Sequence, residues 1–258
     1  MSESPQVTVC VPHWQALTLI RPCLRALRKR TRPGLAHVIV VDNGSRDESL
    51  DYLRALDWIE LVERPEEGPE GWPENAFSAW DAGLARAQTP YVLTLHSDVF
   101  VLDEGWLDPL LVALEDPTVA GAGPWKQEQG GALYRLQRRL VAGALDRLRG
   151  RQLADGERYP RDYCALYRTQ VLRERGLTFR PIHGKGGGYA IARQLWDEGH
   201  ATRVVDLQGL VQHVGHGVAF TDPERFPPRE RERARRRWGK VARARWFQDL
   251  LAADELDR

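Results

Sequence analysis

Tyr91-Val92-Leu93-Thr94-Leu95-His96-Ser97-Asp98-Val99-Phe100 is the stretch that decides the fold. Four of its first five residues are apolar or β-branched, in a short run after Thr89-Pro90. That pattern predicts a strand buried on both faces and parallel to its neighbours. The apolar run then stops. His96, Ser97 and Asp98 place an imidazole, a hydroxyl and a carboxylate at the carboxyl end of the strand, where open α/β sheets bind ligands. Asp and His both ligate metals, and a divalent ion there would offset the charge of a bound diphosphate. A second reading stands beside this one, in which Asp98 only caps the turn leading to Gly105.

Upstream, the chain alternates strand and helix. Val7-Thr8-Val9-Cys10-Val11 reads as a first strand ending at Pro12-His13. Leu17, Ile20, Leu24 and Leu27 recur at helical spacing, and Val38-Ile39-Val40-Val41 forms a second buried strand, which completes a β-α-β unit with parallel strands. The second strand runs into Asp42-Asn43-Gly44-Ser45-Arg46-Asp47-Glu48-Ser49. Asn-Gly supplies a turn, and Ser45 with Glu48 has the form of a capping box, so a helix is expected to start there. Asp42 is left at a strand end, either free for a ligand or satisfying turn amides. Ile59-Glu60-Leu61-Val62 is a third strand. Arg64 to Pro73 is a loop, and a helix with one packed face follows through Phe77, Trp80 and Leu84. Beyond the central strand come a helix around Leu110 and Leu114 and a strand at Val119 to Pro124. The succession calls for an α/β fold with a doubly wound, mainly parallel sheet flanked by helices.

The second half is less regular. Leu133, Leu136, Leu140, Ala144, Leu145 and Leu148 keep helical spacing beneath an Arg-rich face. Asp162 to Tyr167 reads as a strand, Gly184-Lys185-Gly186-Gly187-Gly188 as a loop, and Tyr189 to Glu198 as a helix ended by Gly199. Short strand-like runs at Val204-Val205-Asp206 and Leu210-Val211-Gln212 lead to His213-Val214-Gly215-His216-Gly217. From Pro227 onward an Arg-rich helical tail is expected, docked through Trp238, Val241, Phe247, Leu250 and Leu251. The domain division is therefore 1–222, the α/β domain, and 223–258, a basic C-terminal helical extension.

A chain of 258 residues with 42% hydrophobic and 28% charged residues is globular, with a sizeable core. Its net charge of +1 argues against a dedicated nucleic-acid binder. Cys10, Cys23 and Cys164 lie far apart, without the spacing of a disulfide framework or a zinc site, and fit a reducing cytosol. No signal peptide is evident at Met1 to Gln6, and no apolar run approaches the roughly 20 residues that span a bilayer. A cytoplasmic protein is expected, at most peripheral to the inner face of the membrane. Arg229 to Arg245 offers charge to an anionic lipid surface, whereas the interleaved Glu230 and Glu232 favour a solvated helix.

The order of these signals resembles the family 2 glycosyltransferases, inverting enzymes with the GT-A fold, over roughly Val7 to Gly217. Val40-Val41-Asp42-Asn43-Gly44-Ser45-Arg46-Asp47 is similar to the family's nucleotide-binding turn. Ala79-Trp80-Asp81-Ala82-Gly83 is similar to its Ala-x-Asn-x-Gly helix, with Asp81 in place of Asn. Leu95-His96-Ser97-Asp98 resembles its Asp-x-Asp metal motif, with His96 at the first Asp, and Val211-Gln212-His213-Val214-Gly215 resembles its late Val-x-His-x-Gly. The resemblance implies that Pro12, Asp42, Asn43, Asp81, His96 and Ser97 lie on the donor nucleotide. It also implies that Asp98, with His213, holds Mg2+ or Mn2+ on the diphosphate.

One departure stands out. The family's Glu-Asp pair, whose Asp is the general base, falls on about Gly187-Gly188, and glycine cannot take a proton. An inverting transfer needs a base within hydrogen-bond reach of the attacking oxygen, and the candidates nearby are His183 and Asp162. The leading expectation is a metal-dependent transfer of sugar from a nucleotide-diphosphate donor to a hydroxyl of a glycan or lipid-linked acceptor. The alternatives are an inactive nucleotide-sugar-binding protein of the same fold, and a nucleotidyltransferase. The last normally has a basic Gly-rich loop after its first strand, and Pro12-His13-Trp14-Gln15 does not supply one.

Overall fold

The computed structural model describes residues 5–68, 71, 73–125, 158–215 and 227–258. The segment with helical spacing from Leu133 to Leu148, and His216 with Gly217, lie outside the described residues.

The first half follows the alternation of its sequence. Strand β1 (Val7–His13) leads through α1 (Leu17–Arg30) to β2 (Ala36–Asp42), then through α2 (Glu48–Arg54) to β3 (Ile59–Glu63). Helix α3 (Glu74–Arg86) returns the chain to β4 (Tyr91–Leu95). After β4 come β5 (Val99–Val101), α4 (Asp108–Ala113) and β6 (Val119–Gly123). The second half supplies β7 (Cys164–Arg168), α5 (Thr169–Glu174), α6 (Gly188–Asp197), β8 (Ala201–Val204) and β9 (Val211–His213). It ends in α7 (Pro228–Ala242), α8 (Arg245–Leu251) and a 3-10 turn at Asp254–Asp257.

Seven strands form one sheet in the order β3-β2-β1-β4-β7-β6-β8, and β5 pairs with β9 in a small second sheet. The chain winds outward from β1 to β3 and then crosses back to place β4 on the other side of β1. The switch point, where an open α/β sheet binds ligands, therefore lies between the carboxyl ends of β1 and β4. β4 is parallel to β1, as expected, but antiparallel to β7. β7 is also antiparallel to β6, so the sheet is mostly parallel with one reversed strand.

Alternation on the strands divides the core in two. Val9, Val11, Val38, Val40, Leu93 and Leu95 face α1, while Cys10, Ile39, Val41 and Val92 face α3. Leu19, Ile20, Leu24 and Leu27 form the buried side of α1, and each contributes about 1.5–3 kcal/mol through burial. The capping expectation at Ser45 is corrected by the structure. Helix α2 starts three residues later, with Asp47 as its N-cap accepting from the Ser49 amide at 3.3 Å. The Ser45 hydroxyl is committed elsewhere, accepting from Gln15 N at 2.7 Å.

The C-terminal helices dock on the α1 side of the sheet. Val241, Phe247 and Leu250 are buried, and Phe247 meets Phe100 and Trp238 edge to face at 5.4 and 5.2 Å, whereas Leu251 remains exposed. A polar clasp locks this contact. Arg25, buried in α1, donates from Nη1 to the carbonyls of Leu250 and Leu251 at 3.0 and 2.6 Å, satisfying the end of α8. Its Nε reaches Asp257 Oδ1 at 2.9 Å and its Nη2 reaches Asp254 at 2.6 Å, while Tyr52 donates to Asp257 at 2.8 Å. Among the described residues, no helix is long and apolar enough to cross a membrane.

Burial pushes the Asp257 carboxyl up, but the hydrogen bonds from Arg25 and Tyr52 outweigh it and hold the group below the ordinary aspartate range. Its stabilising contribution is therefore complete above about pH 3.9 and lost as the pH falls further. Asp257→Ala strands part of a buried guanidinium and should lower the unfolding free energy by about 1–3 kcal/mol in urea titrations at pH 7. The gap between wild type and variant should narrow below pH 4.

Candidate active site

Two groups of polar side chains stand at the carboxyl end of the sheet. The first is at β1 and β2, where His13 pairs with Asp42 across the ladder and Asn43 N donates to His13 O at 2.8 Å. The two oxygens of Asp42 are placed differently. Oδ2 accepts from the turn amides of Gly44 and Ser45 at 3.1 and 2.9 Å. Oδ1 is buried without a hydrogen-bond partner among the described residues, as is Oδ1 of Asn43. Buried acceptors of this kind are costly unless a donor arrives. Pro12 is half-buried just ahead of His13.

The second group is built by the turn after β4. His96 closes the strand, half-buried Ser97 makes the bend, and Asp98 leads into β5. Pairing of β5 with β9 places Val99 opposite His213, so that the His213 ring meets the preceding carboxylate. His213 Nε2 lies 3.3 Å from Asp98 Oδ1, and His96 Nδ1 lies 3.8 Å from the same oxygen. One ligand atom from each of His96, Asp98 and His213 falls within 4.8 Å of the others. Two imidazoles and a carboxylate form a donor set that suits a first-row divalent ion. Asp98 is 5% exposed, so a cation at this point would also neutralise a desolvated charge.

Aromatic rings fix the two imidazoles. His96 stacks on Trp80 of α3 at 5.5 Å, and His213 stacks on Tyr163 at 4.3 Å. His96 keeps 37% of its side chain exposed. Burial pushes its pKa down, opposing the upward pull of Asp162 and Asp98. The ring is thereby biased to the neutral form that ligates metals.

The remaining expected residues divide. Asp162, in the turn before β7, joins the second group, with Oδ1 3.9 Å from His96 Nε2. Asp81 binds within the protein instead. Its oxygens accept from Thr178 Oγ1 at 2.5 Å and Phe179 N at 2.9 Å, tethering the segment after β7 to α3. His183 sits at the exposed tip of a two-residue hairpin, with φ +50° beside Gly184 at +75°, closed by reciprocal backbone bonds between Ile182 and Lys185. Sequence reasoning missed the rings of Trp80 and Tyr163. It also missed an aromatic row next to Asp162, in which Tyr159 lies 5.1 Å from Trp125 and 5.6 Å from Tyr189, with Arg161 over the Tyr159 ring. The one signal available was the cluster of Tyr159, Arg161 and Tyr163, with Tyr189 further on.

Comparison with known proteins places this geometry in context. Residues 8–176 match the family model described as Glycosyl transferase family 2. The O-antigen biosynthesis protein RfbC of Myxococcus xanthus is 29% identical over 46% of this chain and 9% of its own length. The pre-mycofactocin glycosyltransferase of Mycobacterium tuberculosis is 38% identical over 46% of this chain and 23% of its own length. The chain thus matches less than a quarter of either relative. Among solved structures, the mannosyltransferase PcManGT from Pyrobaculum calidifontis, in complex with GDP-Man and Mn2+, superposes with a TM-score of 0.59 at 19% identity. That match covers 98% of this chain and 75% of the other. Glucosyl-3-phosphoglycerate synthase from M. tuberculosis, with Mn2+, UDP and phosphoglyceric acid, gives 0.53 at 19% identity over 84% of this chain and 73% of the other. At such identities the likeness is one of fold, and the shared fold is GT-A.

His13 yields a test of the first group. Its ring is buried, with Nε2 2.8 Å from the Ser49 hydroxyl, and burial pushes its pKa down to about 4 against the pull of Asp42 and Asp47. The unfolded chain takes up this proton near pH 6.5, whereas the folded chain refuses it until about pH 4, so folding stability falls as the pH drops through that window. His13→Gln should flatten the decline by about 1.4 kcal/mol per pH unit there, measured by urea unfolding between pH 7 and pH 4.5.

Proposed function

Because the chain belongs to glycosyl transferase family 2, we propose that it moves a sugar from a nucleotide-diphosphate donor to a hydroxyl of a glycan or lipid-linked acceptor, assisted by Mn2+ or Mg2+ held by His96, Asp98 and His213. The observation that carries this reading is the convergence of those three side chains at the switch point of the sheet. In support, the structural neighbours were crystallised with GDP-Man and Mn2+ and with Mn2+ and UDP.

The metal, when bound, would act as a Lewis acid on the diphosphate leaving group. The protein's own groups do the rest. Asp42 Oδ1 and Asn43 Oδ1, buried acceptors without donors among the described residues, suit the N–H edge of a base, with Pro12 beside them. Trp80 and Tyr163 hold the two imidazoles in place, so the donor set is largely preformed. The rings of Tyr159, Trp125 and Tyr189 offer apolar faces to an acceptor sugar, and Arg161 adds a cation for an anionic one. Two imidazoles in place of an all-oxygen set favour Mn2+ over Mg2+, which prefers oxygen ligands and keeps its water. Within this reading, residues 1–222 carry donor and acceptor and 223–258 brace α1.

The paired Gly187-Gly188 favours a second reading, a nucleotide-sugar-binding protein without transferase activity. Thermal denaturation with UDP and GDP, with and without MnCl2, separates the cases when combined with turnover. The wild type should be stabilised by nucleotide only when Mn2+ is present, and less by Mg2+. Asp98→Ala should abolish both the metal-dependent shift and sugar transfer; an unchanged shift in that variant would overturn the reading. Mn2+-dependent binding without release of nucleotide diphosphate from any sugar donor would favour the second one.

A further inference from the structure

The carboxylate of Asp162 fills the space that a side chain at position 187 would need. A Cβ placed on Gly187 would lie 1.9 Å from Asp162 Oδ2, and one on Gly188 would lie 2.3 Å from the Pro160 carbonyl oxygen. Positions 162 and 187 thus compete for one volume beside the metal-ligand cluster. In this chain the residue that carries a functional group into it is Asp162.

Its two oxygens are used differently. Oδ2 accepts from Gly188 N at 3.2 Å, at the first turn of α6, which fixes the carboxylate's orientation. Oδ1 faces His96 Nε2 at 3.9 Å, beyond hydrogen-bond range, and the side chain keeps 20% of its surface exposed against 8% for Asp98. It is more reachable than the other two carboxylates placed here, Asp98 and Asp81. Asp98 is wrapped between His213 and His96, and the Asp81 oxygens are committed to Thr178 and Phe179. Tyr159, edge-on to Trp125 at 5.1 Å, stands three residues before Asp162 in the chain.

We propose that Asp162 is the proton acceptor of the transfer, a carboxylate delivered from the turn before β7 into the space left by Gly187 and Gly188. The inference rests on the sugar-transfer reading above. In the step, the acceptor oxygen bonds to the anomeric carbon as the bond from that carbon to the diphosphate oxygen breaks. The electron pair leaves with the nucleoside diphosphate, and the hydroxyl proton passes to Asp162 Oδ1. Asp162 is then a catalytic residue, because it touches the reacting hydroxyl.

Asp162→Asn is the decisive variant, because the amide oxygen can still accept from Gly188 N and the side chain keeps its volume. The probes are UDP-glucose, UDP-N-acetylglucosamine and GDP-mannose with MnCl2, using water as acceptor and reading release of UDP or GDP. Asp162→Asn should retain the Mn2+-dependent thermal shift with UDP or GDP and lose at least 100-fold in turnover, within the range that general-base catalysis supplies. Asp162→Ala with sodium azide should regain turnover and form a glycosyl azide, since azide attacks the anomeric carbon without giving up a proton. A structural role alone would not produce that rescue. Turnover of Asp162→Asn within threefold of wild type, or absence of azide rescue in a folded Asp162→Ala, overturns the assignment while leaving sugar transfer intact. A wild type with no metal-dependent nucleotide shift overturns the parent reading and this one with it.

Discussion

The whole arrangement depends on where β4 is forced to leave the sheet. Held between parallel β1 and antiparallel β7 and covered on both faces, its residues from Val92 to Leu95 are fully committed to the core. The first residue free of that constraint is His96. The strands on its left were laid down outward from β1, and those on its right after the return crossover, so the chain diverges on either side of this point. A crevice at the carboxyl ends follows from the topology, before any side chain is considered. What the local sequence adds is that the residues emerging there can bind a cation and share it with a phosphate.

Bringing His213 to that point needs a second pairing, far away in sequence. Strands β5 and β9 are three residues each, too short to be stable as a free ribbon. They are secured by burial of Val99, Phe100, Val101 and Val211, and Phe100 in turn packs on Phe247 of α8. The Arg25 clasp holds α8 against α1 and so stands behind that packing. The C-terminal helices therefore bear on the ligand cluster through the rings of Trp246 and Phe247 on Phe100, and through Arg237 of α7, which donates to Val214 O at 3.3 Å beside His213.

The first half of the fold was legible because its code is local. Runs such as Val38 to Val41 and the helical spacing of Leu17, Ile20, Leu24 and Leu27 state their structure within a few residues, and right-handed crossovers supply the rest. The reversal of β7 was not legible, since Cys164 to Tyr167 reads the same in either direction. The Ser45 cap failed for a similar reason: Ser45 and Asp47 stand two residues apart, and a long-range bond from Gln15 took the Ser45 hydroxyl, leaving the cap to Asp47. Asp98 could be read from its place at a strand end, whereas His213 emerged only from a resemblance to a family motif. Buried Arg25 had a faint signal, a cation beside the apolar face of α1 with Asp254 and Asp257 near the other end of the chain.

Helix α3 joins these pieces, and its role helps to explain why glycines stand at 186–188. From one side it presents Trp80 to the His96 ring, while Asp81, one residue on, ties down Thr178 and Phe179. One turn earlier, Phe77 lies where a Cβ on Gly186 would approach to 2.3 Å. At residues 186–188 the chain is thus pressed between α3 and the turn before β7, with room for backbone and almost none for side chains, whereas Gly184 faces open space. A chemical group serving that crevice must then come from a flanking element, and the rigid turn before β7 reaches it with less conformational entropy to lose than a flexible loop. The departure from the family pattern at positions 187 and 188 is in this sense a packing decision, made jointly by Phe77, Pro160 and Asp162.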